Sequence, residues 1–385
     1  MHAITNGRVL TMAGKDYDKG TILIKEGKIL AIGADIPIPA GTDITDVAGK
    51  VVMPGFIDAH SHVGIMEEIF HEGDDGNEIS EPVTPHLRAI DGINPEDLGF
   101  KDALLGGVTT VVATPGSANV IGGEMVAIKT HGAIVDEMVI KAPAGLKVAF
   151  GENPKRVYGT QKKAPVTRMA TAGLLREALV KAQNYANKLD KGRQDSSQLP
   201  ERDLRLETLV KVLKREIPLR AHAHRADDIV TAIRIAEEFN LDLIIEHCTE
   251  GYKIASFLAD KKIPAVVGPT MTNRAKVELK DRSVMTPGLL SNAGVKVAIM
   301  TDHPVIPINY LSLMAALAVK EGMSPQAALE AITIEAARIC RIDSRVGSLE
   351  VGKDADIIIL DGHPLDLQTR VEKVFINGLP VNQEL

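Results

Sequence analysis

Two histidines, two positions apart, are the first residues of this sequence whose types and spacing suggest chemistry. His60 and His62 stand in PGFIDAHSH, directly after apolar residues that are typical of a buried strand. Side chains two residues apart on a strand point to the same face, so the two imidazoles should lie side by side. Because imidazole is a common ligand of zinc and similar divalent ions, the pair indicates half of a metal site.

Three further polar residues follow apolar, strand-like runs later in the chain. His222 ends LRAH, His247 ends LIIEH and Asp302 ends VAIMTD. His222 and His247 are about one βα unit apart, and His247 and Asp302 about two. If the runs are parallel barrel strands, their carboxyl ends meet at one rim and bring these side chains together. Histidines with a carboxylate are a typical ligand set for zinc or a similar ion.

Two positions in this pattern remain open at the level of sequence. The repeat AHAH contains His222 and His224, which face the same way, so periodicity does not select the ligand. Lys147 interrupts GLKVAF, a run otherwise suited to burial on both faces. An unpaired buried ammonium is costly, so Lys147 either reaches an edge, pairs with a carboxylate or has a function.

The elements that would position these residues form an alternating pattern. Seven apolar runs read as strands, namely those within 51–59, 108–114, 145–150, 218–224, 241–248, 264–269 and 295–302, and an eighth is expected within 133–142. Continuous apolar strands separated by amphipathic helices predict a parallel sheet covered by helices. A (β/α)8 TIM-like barrel fits if two insertions, 64–100 and 151–217, are allowed. Helices are predicted at 226–239 and 324–340, the latter with Ser324 as N-cap.

Both ends of the chain differ from its middle. Turn dipeptides between short β-branched runs occur at Asn6-Gly7, Glu26-Gly27 and Asn377-Gly378. Such dipeptides predict hairpins, and one hairpin alone is only marginally stable in water. We therefore expect both termini to form one small β-sandwich domain (1–50 plus 345–385), with the barrel domain (51–344) inserted between its halves.

Composition excludes several classes of protein. The 385 residues include 44 Lys and Arg against 51 Asp and Glu, a net charge of −7, and 45% of them are hydrophobic. An acidic chain without a basic patch is not expected to bind nucleic acid, and no apolar run is long enough to span a membrane. The two cysteines cannot form a disulfide framework, which favours a reducing, cytoplasmic location.

Taken together, these motifs resemble the amidohydrolase superfamily of metal-dependent hydrolases. The resemblance is carried by PGFIDAHSH, by one histidine after each of two later strands, by Asp302 in MTDH and by the C-terminal GSLEVGKDADIIILD. Within the superfamily, LKVAFGENPKR and GSANVIGGE are most similar to the branch of imidazolonepropionase-like proteins and prolidase-like dipeptidases. The resemblance to the superfamily implies a (β/α)8 barrel flanked by a β-sandwich, with two divalent metals, usually zinc, bridged by hydroxide.

The resemblance also implies a ligand set. His60, His62 and Asp302 would bind one metal, while His222 and His247 would bind the other.

In many members a lysine carboxylated by CO2 bridges the two ions, and Lys147 matches that position. Glu124 is the alternative bridging ligand, since some members use glutamate. Alignment to the family favours His222 over His224 as ligand, which leaves His224 to face the substrate or to support the ligands from behind.

The implied reaction is hydrolysis of a C–N amide bond in a dipeptide, an N-acyl amino acid or a cyclic amide. The bridging hydroxide would attack the carbonyl, and Asp302 would accept its proton and deliver it to the leaving nitrogen. Arg156 or Arg168 could hold a substrate carboxylate, or could simply be solvated. The acidic stretch 71–82 is expected to be a lid or a dimer contact, and the protein a homo-oligomer.

Two rival functions remain open. Single-metal deaminases on this fold have a glutamate three residues after the histidine of the fifth barrel strand, which in this sequence is His222 or His224. That position is Arg225 here, or Asp227 when counted from His224, which argues against deamination. A metal-free binding protein should have lost ligands, and none is missing. Metal analysis of the purified protein would separate these functions. Two ions per chain indicate the hydrolase, one ion the deaminase and none the binding protein.

Overall fold

A computed structural model describes residues 1–67 and 74–381 of the chain. The strands are β1 (His2–Val9), β2 (Tyr17–Lys25), β3 (Lys28–Gly33), β4 (Asp43–Asp46), β5 (Val51–Pro54), β6 (Phe56–Ser61), β7 (Val108–Ala113), β8 (Ile121–Lys129), β9 (Val139–Ala149), β10 (Leu219–Ala223), β11 (Leu243–His247), β12 (Ala265–Val267), β13 (Val297–Ile299), β14 (Ile357–Leu360), β15 (Val371–Ile376) and β16 (Leu379–Val381).

The helices surround the second of two sheets into which these strands assemble. They are α1 (Leu98–Leu105), α2 (Val135–Met138), α3 (Glu152–Thr160), α4 (Arg168–Gln194), α5 (Leu204–Leu213), α6 (Ala226–Phe239), α7 (Ala255–Asp260), α8 (Thr286–Asn292), α9 (Leu311–Lys320), α10 (Pro325–Ala331) and α11 (Ile334–Ile339). Within the described ranges, none of them is long and apolar enough to cross a membrane.

The first sheet combines strands from both ends of the chain, as the sequence predicts. Its order is β16-β15-β14-β5-β1-β2-β3, and β4 pairs with β1. The turns at Glu26-Gly27 and Asn377-Gly378 join β2 to β3 and β15 to β16. The predicted turn at Asn6-Gly7 is wrong, because both residues lie inside β1, where the register with β2 shifts.

The apolar run 51–59 is divided between the two sheets. β5 pairs with β1 and β14 in the terminal sheet, whereas β6 begins the barrel. The chain passes between them at Gly55, where a Cβ atom would lie 2.1 Å from Thr109 Oγ1, so only glycine fits without a shift. The division into domains 1–50 plus 345–385 and 51–344 stays a prediction, although β5 contributes to the terminal sheet.

The second sheet is the predicted eight-stranded barrel, with one strand reversed. Its order runs β13-β12-β11-β10-β9-β8-β7-β6, and β13 lies against β6, so the sheet nearly closes. β8 is antiparallel to both β7 and β9, while the other neighbouring pairs are parallel.

The predicted eighth strand at 133–142 is wrong. Residues 135–138 are helical, and Val139 already begins β9, which contains Lys147. The missing strand is β8, whose Gly122-Gly123 pair reads as a loop in the sequence. Glycine is needed there because a Cβ on Gly123 would lie 2.5 Å from the carbonyl oxygen of Leu87.

Two long connections interrupt the barrel where the insertions were expected. α1 follows the first connection, after β6, and α3, α4 and α5 occupy the second, between β9 and β10. The predicted helix at 226–239 is α6, whereas the helix predicted at 324–340 is divided into α10 and α11. Ser324 caps α10, since its Oγ accepts a hydrogen bond of 3.1 Å from the Ala327 amide.

Candidate metal centre and active site

His60 lies near the carboxyl end of strand β6 and His62 directly follows the strand, and both are buried. The Nε2 atoms of both histidines lie 3.3 Å from Asp302 Oδ1, so these three residues form one compact group, the first cluster. His62 Nδ1 lies 2.6 Å from the carbonyl oxygen of Thr114, and His60 Nδ1 lies 2.8 Å from Glu246 Oε2. Each ring is therefore held from behind, with Nε2 directed at Asp302.

The ends of β10 and β11 bring three more histidines together. His222, His224 and His247 form the second cluster, in which one ring nitrogen of each lies within 4.8 Å of the others. His224 Nδ1 is 2.7 Å from Thr249 Oγ1, and His247 Nδ1 is 2.9 Å from the Gly268 carbonyl oxygen. The two clusters adjoin, because the rings of His60 and His247 are 5.2 Å apart between centroids.

The histidines of the second cluster are neutral acceptors. Burial, with the positive charge of Lys276 and Lys147, lowers the pKa of His224 to about 3. Burial and neighbouring histidines hold the pKa of His222 well below its ordinary value. Metal ligands must be deprotonated, so these rings are ready to donate lone pairs without losing a proton.

Asp302 follows the last barrel strand and faces both clusters. Burial alone would raise the pKa of Asp302, but the adjoining rings of His247, His60 and His62 hold it well below the usual range. Its φ of 56° and the φ of 66° at His247 are left-handed values, which are uncommon outside glycine and occur often at functional sites.

Lys147 lies near the carboxyl end of β9, fully buried beside the first cluster. Its Nζ is 3.3 Å from His60 Nε2, and within the described residues no carboxylate forms an ion pair with it. Burial lowers the pKa of Lys147 to about 8, against the attraction of Glu246 and Asp302. Snorkelling to an edge, one of the two structural explanations for this lysine, does not apply.

Two of the sequence-based candidates lie elsewhere. Glu124 is on β8 with its Oε1 3.1 Å from Thr208 Oγ1 and 2.9 Å from Lys211 Nζ, both on α5, so the alternative of Glu124 as bridging ligand is wrong. Arg168 pairs with buried Asp228 at 2.9 Å and does not line the cavity above the clusters.

That cavity has a volume of about 860 Å3 and opens above both clusters. His62, all three histidines of the second cluster and Asp302 line its floor. Arg156 on α3 and Lys276 supply positive charge to its wall, and Asp74 supplies negative charge. Of the stretch 71–82, residues 71–73 lie outside the described residues; its role as lid or dimer contact stays a prediction.

Sequence reasoning missed three charged residues beneath the clusters. Arg220 and Glu246 are fully buried in the strands that carry His222 and His247. Asp58 accepts hydrogen bonds from the amides of His60 and Thr301 at 3.1 Å, and burial raises its pKa to about 6. The signal was present for the first two, because each interrupts an apolar strand just as Lys147 does.

The side chains present fit a pair of divalent ions. Neither ring nitrogen of His222, nor Nε2 of His224, has a hydrogen-bond partner in the part of the chain that the structure describes. Buried polar atoms are rarely left unpaired without a reason such as a missing ion. Imidazole nitrogens with a carboxylate are the ligands that zinc and similar ions prefer.

Comparison with known families places this geometry in context. The model of the amidohydrolase family matches residues 51–381, which include both clusters and Lys147. The chain belongs to the amidohydrolase family. It is therefore a hydrolase that acts on carbon–nitrogen bonds, in a family whose members depend on metal ions.

Individual relatives show how far this family resemblance extends. An amidohydrolase from Thermotoga maritima with a known crystal structure is 47% identical in sequence to this chain. The two structures superpose with a TM-score of 0.97, and the match covers both chains completely. Amidohydrolase tasK from Hapsidospora irregularis is 29% identical over 93% of this chain, which spans only 39% of that protein's length. An imidazolonepropionase from Brucella anthropi is 24% identical over 96% of this chain and 95% of its own length.

Proposed function

We infer that this amidohydrolase cleaves the C–N bond of a small amide, such as a dipeptide, an N-acyl amino acid or a cyclic amide, with two bound divalent ions. The observation that carries the proposal is the pair of adjoining ligand clusters at the floor of a cavity of about 860 Å3. Such a cavity has the size of an ordinary small-molecule site.

The proposed ligands divide between the two clusters. His60, His62 and Asp302 hold one ion, and His222 and His247 hold the other; zinc is the ion that this donor set favours. His222 is preferred over His224 because both ring nitrogens of His222 are buried without a hydrogen-bond partner within the described residues, whereas only Nε2 of His224 is.

Lys147 is proposed to carry a carbamate, which would serve as a ligand to the ions. A lysine reacts with CO2 only as the neutral amine, and it then loses a proton as the N–C bond forms. The lowered pKa of Lys147 raises the fraction of neutral amine at physiological pH. The product carries negative charge, which would balance the cations beside it.

The bound ions would polarise the scissile carbonyl and lower the pKa of a water molecule toward neutrality. The protein's own part is to orient the amide and to move one proton. The carboxylate of Asp302 accepts a proton from the attacking water and passes it to the nitrogen of the leaving amine, so that water and amide become a carboxylic acid and an amine. His224 faces the cavity beside the scissile bond as a catalytic, substrate-facing residue.

A substrate with a carboxylate suits the wall of the cavity. Arg156 is exposed, lines the cavity and makes no ion pair with the described carboxylates. A guanidinium with free donors binds a carboxylate in a paired contact. We assign this role to Arg156 alone, since Arg168 is engaged by Asp228.

A deaminase is the second candidate, favoured by the relatives rather than by the site. An adenine deaminase from Listeria monocytogenes is 26% identical over 97% of this chain, which spans 56% of that protein. In this chain the residues at the position of the deaminase glutamate are Arg225 and Asp227, which pair with each other at 2.8 Å outside the cavity.

Metal analysis and a substrate panel test the proposal together. Purified protein should contain about two zinc-like ions per chain, and a chelator should abolish hydrolysis until metal is restored. The panel comprises dipeptides, N-acyl amino acids, hydantoins, lactams and aminated heterocycles. Hydrolysis that survives metal removal would contradict the proposal, and ammonia release from heterocycles alone, with one ion per chain, would support the deaminase. A cytoplasmic location and a homo-oligomeric state stay predictions.

A further inference from the structure

A chain of charged groups runs beneath the first cluster, inside the barrel. Glu246 Oε2 lies 2.8 Å from His60 Nδ1, and Glu246 Oε1 accepts a hydrogen bond of 2.5 Å from Arg220 Nε. Arg220 Nη2 also donates to the carbonyl oxygen of Ala59 at 2.8 Å, and Arg220 Nη1 lies 3.5 Å from Cys340 Sγ. Arg220 and Glu246 are both 0% exposed.

Strand register explains why these residues meet. Glu246 on β11 is the direct neighbour of His222 on β10, and Arg220 lies two positions before His222, so all three side chains share one face. His247, the next residue, would normally point to the opposite face. Its left-handed φ of 66° breaks the alternation, so that consecutive residues serve different parts of one site.

The hydrogen bonds determine which nitrogen of His60 carries the proton. Arginine can only donate hydrogen bonds, so Arg220 Nε donates to one oxygen of Glu246. The other oxygen of this carboxylate can only accept, so His60 Nδ1 must donate to it. A neutral His60 with its proton on Nδ1 leaves the lone pair on Nε2, the atom that faces Asp302 Oδ1 at 3.3 Å.

His60 differs in this respect from the other oriented ligands. His62 Nδ1 and His247 Nδ1 lie against neutral carbonyl oxygens, at 2.6 Å and 2.9 Å. Among the partners described for these three rings, only that of His60, Glu246, is a carboxylate. Its negative charge behind the ring makes the imidazole of His60 a stronger donor to a metal. Arg220 keeps that carboxylate paired, since an isolated buried charge would be costly.

We propose that Arg220 and Glu246 are a positioning pair that fixes the tautomer of His60 and makes the first cluster the tighter of the two metal sites. The proposal rests on the binuclear centre of the proposed function and adds an order of affinity to it. Neither residue lines the cavity, so the pair acts through His60 and does not touch the substrate.

Zinc affinity measured by competition with a chelator tests this order. In wild-type protein the two sites should be filled in sequence, and Glu246→Gln should weaken the tighter site by about 10–100-fold while leaving the weaker site unchanged. Asp356→Asn is the matched control, because Asp356 is also a buried carboxylate paired with a cation, Lys129, but belongs to no ligand cluster. This control should leave both affinities unchanged.

A second measurement does not depend on whether Glu246→Gln folds. Nitrogen NMR of the metal-free wild-type protein should show the proton of His60 on Nδ1, with the signal assigned by its loss in His60→Asn. A proton on Nε2 would overturn the proposal, as would a folded Glu246→Gln with both affinities unchanged. Wild-type protein that binds two ions but cleaves no amide would contradict only the proposed function.

Discussion

Two buried groups of charged side chains in this protein differ in one respect that separates function from structure. At the junction of barrel and terminal sheet, Lys129 of β8 contacts Asp356 and lies 2.9 Å from Asp354, which Arg345 also binds at 2.8 Å. In the candidate metal centre, by contrast, both ring nitrogens of His222 and Nε2 of His224 have no hydrogen-bond partner within the described residues.

Burial and charge alone therefore do not identify a functional site. The junction cluster, meaning Lys129, Asp354, Asp356 and Arg345, is complete without a ligand and fastens β8 to the segment that leads into β14. The candidate metal centre is incomplete without one, because buried polar groups without partners are destabilising.

The largest effect is expected for Asp302→Asn. Removing a proton acceptor from an acid–base step typically lowers turnover by about 10²–10⁴-fold, while the amide oxygen of asparagine can still bind a metal. We therefore expect unchanged metal content and a loss of turnover on any substrate that the panel identifies. Steady-state kinetics and metal analysis of the same sample measure both, and retained hydrolysis would remove Asp302 from this role.

At the junction, Lys129→Met should affect stability instead of metal binding. Removing one partner of a buried ion pair typically costs about 3–5 kcal/mol, because the remaining charge is left buried. The free energy of unfolding, measured with denaturant, should fall by that amount while the folded protein keeps its full metal content. Loss of metal without loss of stability would show that the two clusters do not differ as described.

A smaller effect is expected at the wall of the cavity for Arg156→Gln. Hydrogen bonds to charged groups contribute about 1.5–3 kcal/mol, so KM for a carboxylate-bearing substrate should rise by about 10–100-fold. Arg168→Gln is the matched control, since Arg168 is held by Asp228, and it should leave KM unchanged. Equal effects on the amide and the carboxylate form of a substrate would contradict the assignment.

The smallest effect concerns the pH dependence of the junction. Burial alone would raise the pKa of Asp354, but Lys129, Lys28 and Arg345 lower it to about 2 from 3.8. Its stabilising contribution is therefore complete above about pH 4 and is lost as the pH falls toward 2. The difference in unfolding free energy between wild type and Lys129→Met should shrink over this range; a constant difference would exclude Asp354 as the partner.

Much of the site could be predicted because its residues follow a local rule. His60, His222 and His247 stand at the ends of apolar strands, and in a barrel such ends converge. Lys147 was recognisable because a charge in a doubly buried strand needs an explanation. The fold class followed from the same alternation of strands and helices.

The rest depended on contacts between distant segments. β8 reads as a loop because Gly123 accommodates the backbone of Leu87, a contact that local sequence does not reveal. Glu124 was placed near the metals for the same reason, although its strand turns it toward α5. Arg220 and Glu246 carry a readable signal, but only their side-chain distances show that they support His60.

A crystal structure of the zinc-loaded protein, with anomalous data collected at the zinc edge, would show directly whether the two clusters bind two ions. We expect two peaks about 3.5–4 Å apart, one between His60, His62 and Asp302 and the other beside His222 and His247. A single peak, or peaks away from these side chains, would contradict the proposed binuclear centre.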